Sequence, residues 1–397
     1  MTTFSVQFLG CKVSHVDAHE VREALLAGGH AECDDSEVAV VNTCCVTNEA
    51  VAKSRKAAAR AARTHRRVYV TGCGANLAGH AFAGLPSNVV VVARRSEETP
   101  AFVAGDVGAI GCVQADARLD RVRAFVKVQD GCSFSCNFCV IPLVRGASRS
   151  RGAPAVLAEI ARRVEQGHRE VVLTGINLGC YRDREAGYDL PRLVRAVGAT
   201  PGLERLRLSS IEINHVNEAL VAALRETPNV SRHLHVPLQS GDDGVLRAMG
   251  RRYSAQTFLR LLAPLQDEFN LTSDVIVGFP AEDEPAFANT LRVARDAGLT
   301  KLHVFPYSPR PGTVTEHDDP VAPAVKRERS ARLRELSDDA SRARWQTKIG
   351  RDDIVLVDRP GRGYGDDYSP WIVGGHEVGR FVRVRGASVT EEGILAA

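Results

Sequence analysis

The chain has 397 residues, 44% of them hydrophobic and 25% charged, an ordinary globular composition with room for two or three separate cores. Its formal net charge is only +3, which excludes a chain basic throughout, so any hold on nucleic acid has to come from local patches. No apolar run approaches a membrane span, the first residues lack a secretion signal, and the 10 cysteines therefore point to metal or redox chemistry in a reducing compartment, giving the expectation of a cytoplasmic protein without a membrane partner.

The first third repeats one pattern three times. Val6-Gln-Phe-Leu-Gly10 reads as a strand ending at Cys11, and a helical segment follows through Leu25 to Gly28-Gly29. Val38 to Val41 is a second strand, ending in Asn42-Thr43-Cys44-Cys45 and giving way to a helix from Glu49. Val68 to Thr71 is a third, ending in Gly72-Cys73-Gly74. The cysteines recur at about the length of one βα unit. Open parallel sheets bind ligands at the carboxyl ends of their strands, so Cys11, Cys44 and Cys73 are expected to converge there as a three-thiol site. Adjacent residues leaving a strand point to opposite faces, so only one of Cys44 and Cys45 serves easily as a ligand.

After Cys44, the basic residues Lys53, Lys56, Arg60, Arg63 and Arg67 recur at three and four residue steps, which predicts one cationic helix face. By itself that is a solvated stripe; beside a cluster site it suits a phosphate backbone. Residues 97 to 120 lose periodicity and read as a linker, leaving Cys112 outside any ligand set.

From Arg123 strands and helices alternate. The strand candidates are 125–128, 171–173, 206–208, 234–236, 275–277 and 302–305, with a helix over 154–166. Six βα units predict a partial TIM-like barrel, whose chemistry sits on the loops after the strands. The first such loop is Asp130-Gly-Cys132-Ser-Phe-Ser-Cys136-Asn-Phe138-Cys139. Three thiols at CxxxCxxC spacing are one short of a closed tetrahedron: a four-iron cluster held this way keeps an open iron position, while a zinc knuckle needs a distant fourth ligand. The later loops carry Gly175, Asn177, Ser209, Gln239, Ser240, Gly278 and Tyr307, a row of polar and glycine positions with the character of a cofactor cup. Arg145, Arg149 and Arg151, just past the cysteines, are placed to hold phosphate or cofactor, or to serve as surface charges. Cys33 and Cys180 are read as structural thiols.

A charged helical linker is expected over 326–348. Beyond Gly350, the β-like runs 354–357 and 381–384, with Gly-rich turns, predict a small β-barrel whose Arg383 and Arg385 offer a basic surface for RNA. Its aromatic content is thin for base stacking. The expected fold is α/β: a Rossmann-like cluster domain (1–115), a partial (β/α)6 barrel (116–340) and a small all-β domain (345–397).

The cysteine loop, with Phe138 at the aromatic position, resembles the signature of the radical S-adenosylmethionine (SAM) enzymes, and the whole chain resembles the methylthiotransferases among them. The elements Gly10-Cys-Lys-Val13, Asn42-Thr-Cys44, Val46-Thr-Asn-Glu49, Lys53-Ser-Arg55, Val128-Gln-Asp-Gly131 and Leu208-Ser-Ser-Ile-Glu212 are most like the type that acts on N6-threonylcarbamoyladenosine at position 37 of tRNA. That resemblance implies a C-terminal TRAM domain and two 4Fe-4S clusters, one on Cys11, Cys44 and Cys73, the other on Cys132, Cys136 and Cys139. It also implies SAM bound near Phe138 and the loop residues named above. The tRNA anticodon stem-loop would meet Lys53, Lys56, Arg60, Arg63, Arg383 and Arg385, and an electron donor such as flavodoxin or ferredoxin would reduce the clusters. The family selects Cys44 over Cys45. Ser14, Cys45 and Ala281 depart from its usual Asn, Thr and Gly.

In the scheme so implied, one SAM methylates sulfur on the auxiliary cluster and a second yields the radical that opens C2 of the base, an unactivated C–H position that neither acid-base chemistry nor a side-chain nucleophile replaces readily. Methylthiolation of isopentenyladenosine or of a ribosomal-protein side chain would use the same parts. A noncatalytic RNA-binding iron-sulfur protein would need only the clusters and basic surfaces.

Overall fold

The computed structural model describes residues 2–77, 81–108 and 122–397. By compactness the chain divides into two units, residues 1–119, 130–149 and 308–318 in one and 120–129, 150–307 and 319–397 in the other.

In the first unit, β1 (Thr3–Phe8), α1 (Lys12–Ala27), β2 (Ala31–Glu32), β3 (Val38–Thr43), α2 (Asn48–Ala61), β4 (Arg67–Gly72), β5 (Val89–Val91) and α3 (Thr99–Val107) follow in order. The strands form a parallel sheet, β2-β1-β3-β4-β5. Because alternate residues of a strand face opposite ways, the continuous apolar run Val38 to Val41 feeds two cores. Val38 and Val40 pack with Val21, Leu25 and Val103 of α1 and α3, whereas Ala39 and Val41 pack with Ala58 of α2. A sheet covered on both sides has its strand ends as the remaining place for polar chemistry. The linker expected over 97–120 is corrected in part: Thr99–Val107 is a helix with Pro in its first turn and Val103 buried. Cys112 lies outside the described residues.

The next elements are β6 (Arg123–Asp130), α4 (Ile141–Arg145), β7 (Arg149–Ser150), α5 (Ala153–Glu165), β8 (Glu170–Gly175), β9 (Arg182–Asp183), β10 (Tyr188–Asp189), α6 (Leu190–Gly198), β11 (Arg205–Leu208), α7 (Glu218–Glu226), β12 (His233–His235), α8 (Asp243–Ala248), α9 (Ala255–Leu262), β13 (Asn270–Val277), α10 (Glu284–Asp296), β14 (Leu299–Pro306) and α11 (Pro323–Gln346). All six expected strands are present. In the second unit β6, β8 and β11 are parallel neighbours, as are β12, β13 and β14. The two sets meet where Ile211 N–H donates to His235 O at 2.9 Å and Leu206 N–H to Asn229 O at 2.8 Å. Leu206, Leu234, Val275 and Leu302 turn to one face and pack with Ile160, Leu193, Phe258, Phe287 and Leu333 of the helices. The opposite face carries Lys127, Arg207, His235, Asp274 and His303, so its polar character follows from the strand period of two. Helix α11 lies over the expected charged helical segment and packs against the sheet: Arg329, Ser330, Leu333 and Ser337 are buried, and Ser337 Oγ accepts the N–H of Leu302 at 2.9 Å.

The chain ends in a closed barrel of β15 (Asp352–Arg359), β16 (Arg362–Tyr364), β17 (Pro370–Ile372), β18 (Phe381–Val389) and β19 (Ile394–Ala396) around Val355, Val357, Trp371 and Val384. It is keyed to the parallel strands through buried Glu170, which Arg123, Arg205 and Arg207 meet at 3.1, 3.4 and 2.8 Å. Arg207 Nη2 also donates to Gly365 O at 2.8 Å, and Arg205 Nη2 to Ile354 O at 2.6 Å. The stacked rings of Tyr364 and Tyr368, 4.8 Å apart, lie under Arg123, so these aromatics and Trp371 serve packing. Among the described residues no helix is long and apolar enough to cross a membrane.

Candidate functional site

The first unit gathers two sets of three thiols. Cys11 is the N-cap of α1. Its neighbour Ser14 is buried, with Oγ 3.7 Å from Cys11 Sγ. Cys44 follows β3, and its N–H donates to the buried Ser54 Oγ of α2 at 3.2 Å. Cys73 follows β4 at a turn that needs glycine: Gly72 has φ +83°, and a Cβ there would lie 2.6 Å from Asn42 Oδ1. Burial raises the Cys44 thiol above its ordinary range, and the charges of Cys73 and Cys11 raise it further. The three thiols follow the neighbouring parallel strands β1, β3 and β4, and thiolates are the donors that hold an iron-sulfur cluster. Nine described cysteines are free of disulfides.

Cys44 and Cys45 differ in their surroundings, Cys44 being half-buried and Cys45 fully buried. Strand β3 ends at Thr43, just short of the pair. Cys45 is fully buried with Leu77, Val140 and Val144, its carbonyl accepts from Arg310 Nη1 at 3.0 Å, and its thiol donates to Cys73. That hydrogen bond, helped by the Arg145 guanidinium, holds the Cys73 thiol below the ordinary range against the effect of burial.

The second set sits on the loop after β6. Cys132, Cys136 and Cys139 are all half-buried. Gly131, with φ +69°, starts the loop where a Cβ would lie 2.2 Å from Ala147 O, and Cys132 N–H donates to Gly146 O at 3.0 Å. Cys139 N–H donates to Cys136 O at 3.1 Å, closing the turn, and Thr315 N–H and Oγ1 hold the carbonyl of Asn137. Phe138 is half-buried on the same loop.

Arg145 is not a surface charge. It is buried and donates from Nε to Cys73 Sγ at 3.0 Å, from Nη1 to Asp130 at 3.0 and 3.1 Å, and from Nη2 to Asp17 at 2.6 Å. Sequence reading missed this network because Asp17 and Asp130 are remote in the chain. The one available signal was Asp17, a carboxylate on the apolar side of α1. A cleft lined by Asn42, Cys73, Asn76, Arg94, Asp130 and Arg149 borders it. Arg149 meets Glu97 at 3.2 Å. Arg151, in the second unit, meets Glu159 at 2.7 Å and donates to Lys127 O at 2.8 Å.

In the second unit the expected cup residues lie at the carboxyl ends of the parallel strands. Gly175 closes β8 against Gln129, whose Oε1 accepts the N–H of Asn177 at 2.8 Å. Thr174 Oγ1, Asn177 Oδ1 and Ser209 Oγ are buried without a protein partner, the condition of groups that await a ligand or water. Gln239 adopts φ +64° and its carbonyl accepts the N–H of Ile276 at 2.9 Å. Ser240 is fully buried and its Oγ accepts the N–H of Asp242 at 3.2 Å, so its hydroxyl is engaged in the turn. Gly278 N–H donates to Glu282 Oε1 at 2.7 Å, and Arg329 meets the same carboxylate at 2.7 Å. Tyr307 is buried edge-on to Phe279 at 5.2 Å, with its carbonyl bound to Lys326 at 3.0 Å. Sequence reading also missed His235, Asp274 and His303, whose ring nitrogens and carboxylate gather within 4.8 Å on neighbouring strands; the strand period of two was the available clue. Cys180 lies 3.3 Å from His215, and Cys33 is exposed rather than buried.

The basic stripe is shorter than expected. Helix α2 ends at Ala61, so Lys53, Lys56 and Arg60 share an exposed face while Arg63 lies in the turn beyond it. Lys53 meets Glu49 at 2.7 Å, and Arg67 opens β4, bound to Asp106 at 2.7 Å. Arg383 and Arg385 are exposed on β18, 3.8 and 3.3 Å from Asp352.

A model of the Radical SAM superfamily matches residues 126–294, and one described as uncharacterized protein family UPF0004 matches residues 3–93. The threonylcarbamoyladenosine tRNA methylthiotransferase MtaB of Thermotoga maritima is 32% identical, with 100% of this chain and 97% of that protein covered. Its counterpart from Chlamydia pneumoniae is 33% identical, with 99% and 97% covered. Among solved structures, the radical S-adenosylmethionine methyltransferase TsrM of Kitasatospora setae aligns with a TM-score of 0.60 over 80% of this chain and 75% of its own, at 13% identity, a likeness of fold. End-to-end similarity to these relatives, with the radical SAM match across the central strands, places the chain in the MtaB-type family of threonylcarbamoyladenosine tRNA methylthiotransferases within the radical SAM superfamily.

Proposed function

We propose that this protein converts N6-threonylcarbamoyladenosine at position 37 of tRNA to its 2-methylthio derivative. The observation that carries the proposal is full-length similarity to the MtaB proteins in a chain that keeps both three-cysteine sets at strand ends. Two 4Fe-4S clusters and SAM are the cofactors, and together they supply the radical and sulfur chemistry that an unactivated aromatic C–H position requires.

The protein's own residues hold and enclose those groups. Cys11, Cys44 and Cys73 are the proposed ligands of the auxiliary cluster, and Cys132, Cys136 and Cys139 those of the SAM cluster. Asn177 and Ser209, whose side-chain oxygens lack protein partners, are proposed to bind SAM with Phe138, Gln239 and Tyr307, while Gly175, Ser240 and Gly278 shape the backbone of the cup. In this reading the chain comprises a cluster domain (1–115), a partial TIM-like radical SAM barrel (116–340) and a TRAM-like domain (345–397). Lys53, Lys56, Arg60 and Arg63, with Arg383 and Arg385, would hold phosphates of the anticodon stem-loop, where an unpaired base can be splayed into a pocket. A small electron carrier such as flavodoxin or ferredoxin completes the system in the cytoplasm.

The test is a reaction of the reconstituted protein with SAM, a reductant and tRNA bearing N6-threonylcarbamoyladenosine. Nucleoside mass spectrometry should find the 2-methylthio product. SAM cleavage without that product would sink the substrate assignment, and no SAM cleavage would favour a noncatalytic iron-sulfur protein.

A further inference from the structure

The sulfur of Cys73 is hydrogen-bonded by a buried guanidinium that the reaction scheme leaves without a role. Arg145 Nε lies 3.0 Å from Cys73 Sγ. Its other two nitrogens are taken by carboxylates, Nη1 by Asp130 and Nη2 by Asp17. The Arg145 side chain is 5% exposed, and those of Asp17 and Asp130 are 6% and 11% exposed. A cation so placed is screened little by solvent, so its effect on Cys73 is offset by the two carboxylates rather than by water.

The three contacts reach three functional segments of the first unit. Cys73 follows β4. Asp130 directly precedes the second cysteine loop, and its carboxylate also accepts the N–H of Gly131 at 2.7 Å and the hydroxyl of Ser96 at 2.6 Å. Asp17 sits on α1, whose N-cap is Cys11. The planar fork of arginine, with donors on three edges, fits this arrangement where the point charge of lysine does not.

We propose that Arg145 is a positioning residue that sets the reduction potential of the auxiliary cluster through the sulfur of Cys73, with Asp17 as the counter-charge that moderates it. This rests on the reading of Cys73 as a cluster ligand. Hydrogen bonds and positive charge at a ligand sulfur stabilise the reduced, more negative cluster, so removing them lowers the potential and removing the counter-charge raises it. A residue that merely packs the loop together gives no such opposed pair of effects.

The experiment uses the full chain with Cys132, Cys136 and Cys139 replaced by Ala, so that only the auxiliary cluster is present, reconstituted and titrated with an EPR readout. Arg145→Gln is expected to shift the midpoint downward by the equivalent of at least tenfold in the reduced-to-oxidised ratio, about 59 mV for one electron. Asp17→Asn is expected to shift it upward. Arg145→Lys keeps the charge without the fork and should fall between wild type and Arg145→Gln. If Arg145→Gln fails to assemble a cluster, the upward shift of Asp17→Asn decides. Midpoints unchanged in both variants at full iron content, or shifts of the same sign, would overturn the proposal. Retention of full iron in Cys73→Ala would instead show that the ligand reading had failed, an outcome separate from the Arg145 result.

Discussion

Replacement of Gly131 by alanine probes the link between backbone geometry and cluster assembly. Gly131 has φ +69°, and a Cβ there would lie 2.2 Å from Ala147 O and 2.7 Å from Gly146 O. The left-handed backbone costs an L-residue roughly 1–2 kcal/mol. The contact adds an overpacking term of about 1–3 kcal/mol, because both obstacles are backbone atoms that cannot swing aside. Together they amount to about 2–5 kcal/mol, most simply relieved by moving residues 146 and 147 away and breaking the Cys132 N–H to Gly146 O bond. Gly131→Ala is therefore expected to halve the iron bound after reconstitution and abolish SAM cleavage, while the auxiliary cluster persists. Gly375→Ala is the control, since Gly375 has φ +71° but nothing within 4 Å of its Cβ position. It should lose only the left-handed term in stability and keep all its iron. Full iron content in Gly131→Ala, with stability equal to the control, would refute the reasoning.

Three further outcomes are expected. Burial alone would raise the Asp367 carboxyl, but Lys348 and Arg344 hold it down to about 2. A depressed carboxyl stabilises the fold above its unfolded value near 4, and this contribution, about 2.5 kcal/mol, is lost as pH falls toward 2. Asp367→Asn in the cluster-free protein should thus be destabilised at pH 6 in urea unfolding and approach wild type near pH 2; a gap independent of pH would contradict the linkage. Glu170→Gln removes the buried carboxylate shared by Arg123, Arg205 and Arg207, leaves Arg123 and Arg205 only Asp358 and Asp366 as counter-charges, and should cost about 3–5 kcal/mol in the same assay; a loss under about 1 kcal/mol would show the arginine group to be indifferent to the charge. Replacing Lys53, Lys56 and Arg60 together by Ala should weaken tRNA binding and flatten its logarithmic salt dependence by roughly 2–3. An unchanged slope would place the RNA elsewhere.

The parallel strands were legible because their apolar runs, such as Val38 to Val41 and Val171 to Leu173, are buried on both faces and need no tertiary knowledge to recognise. The placement of Cys11, Cys44, Cys73 and the 132–139 loop directly after strands was legible from spacing. Helix α3 was missed because Thr99 to Val107 contains Pro, Gly and Asp and buries little beyond Val103. The basic stripe was overextended because the periodic arginines run on through a turn after Ala61 that no Gly or Pro announces. Arg145 posed the hardest case: its burial depends on two carboxylates that arrive from distant segments, information that local sequence does not contain.

The most direct test of the central claim is nucleoside mass spectrometry of tRNA from cells with and without this gene. Loss of the gene is expected to remove the 2-methylthio form and leave N6-threonylcarbamoyladenosine to accumulate. Unchanged levels of both nucleosides would contradict it.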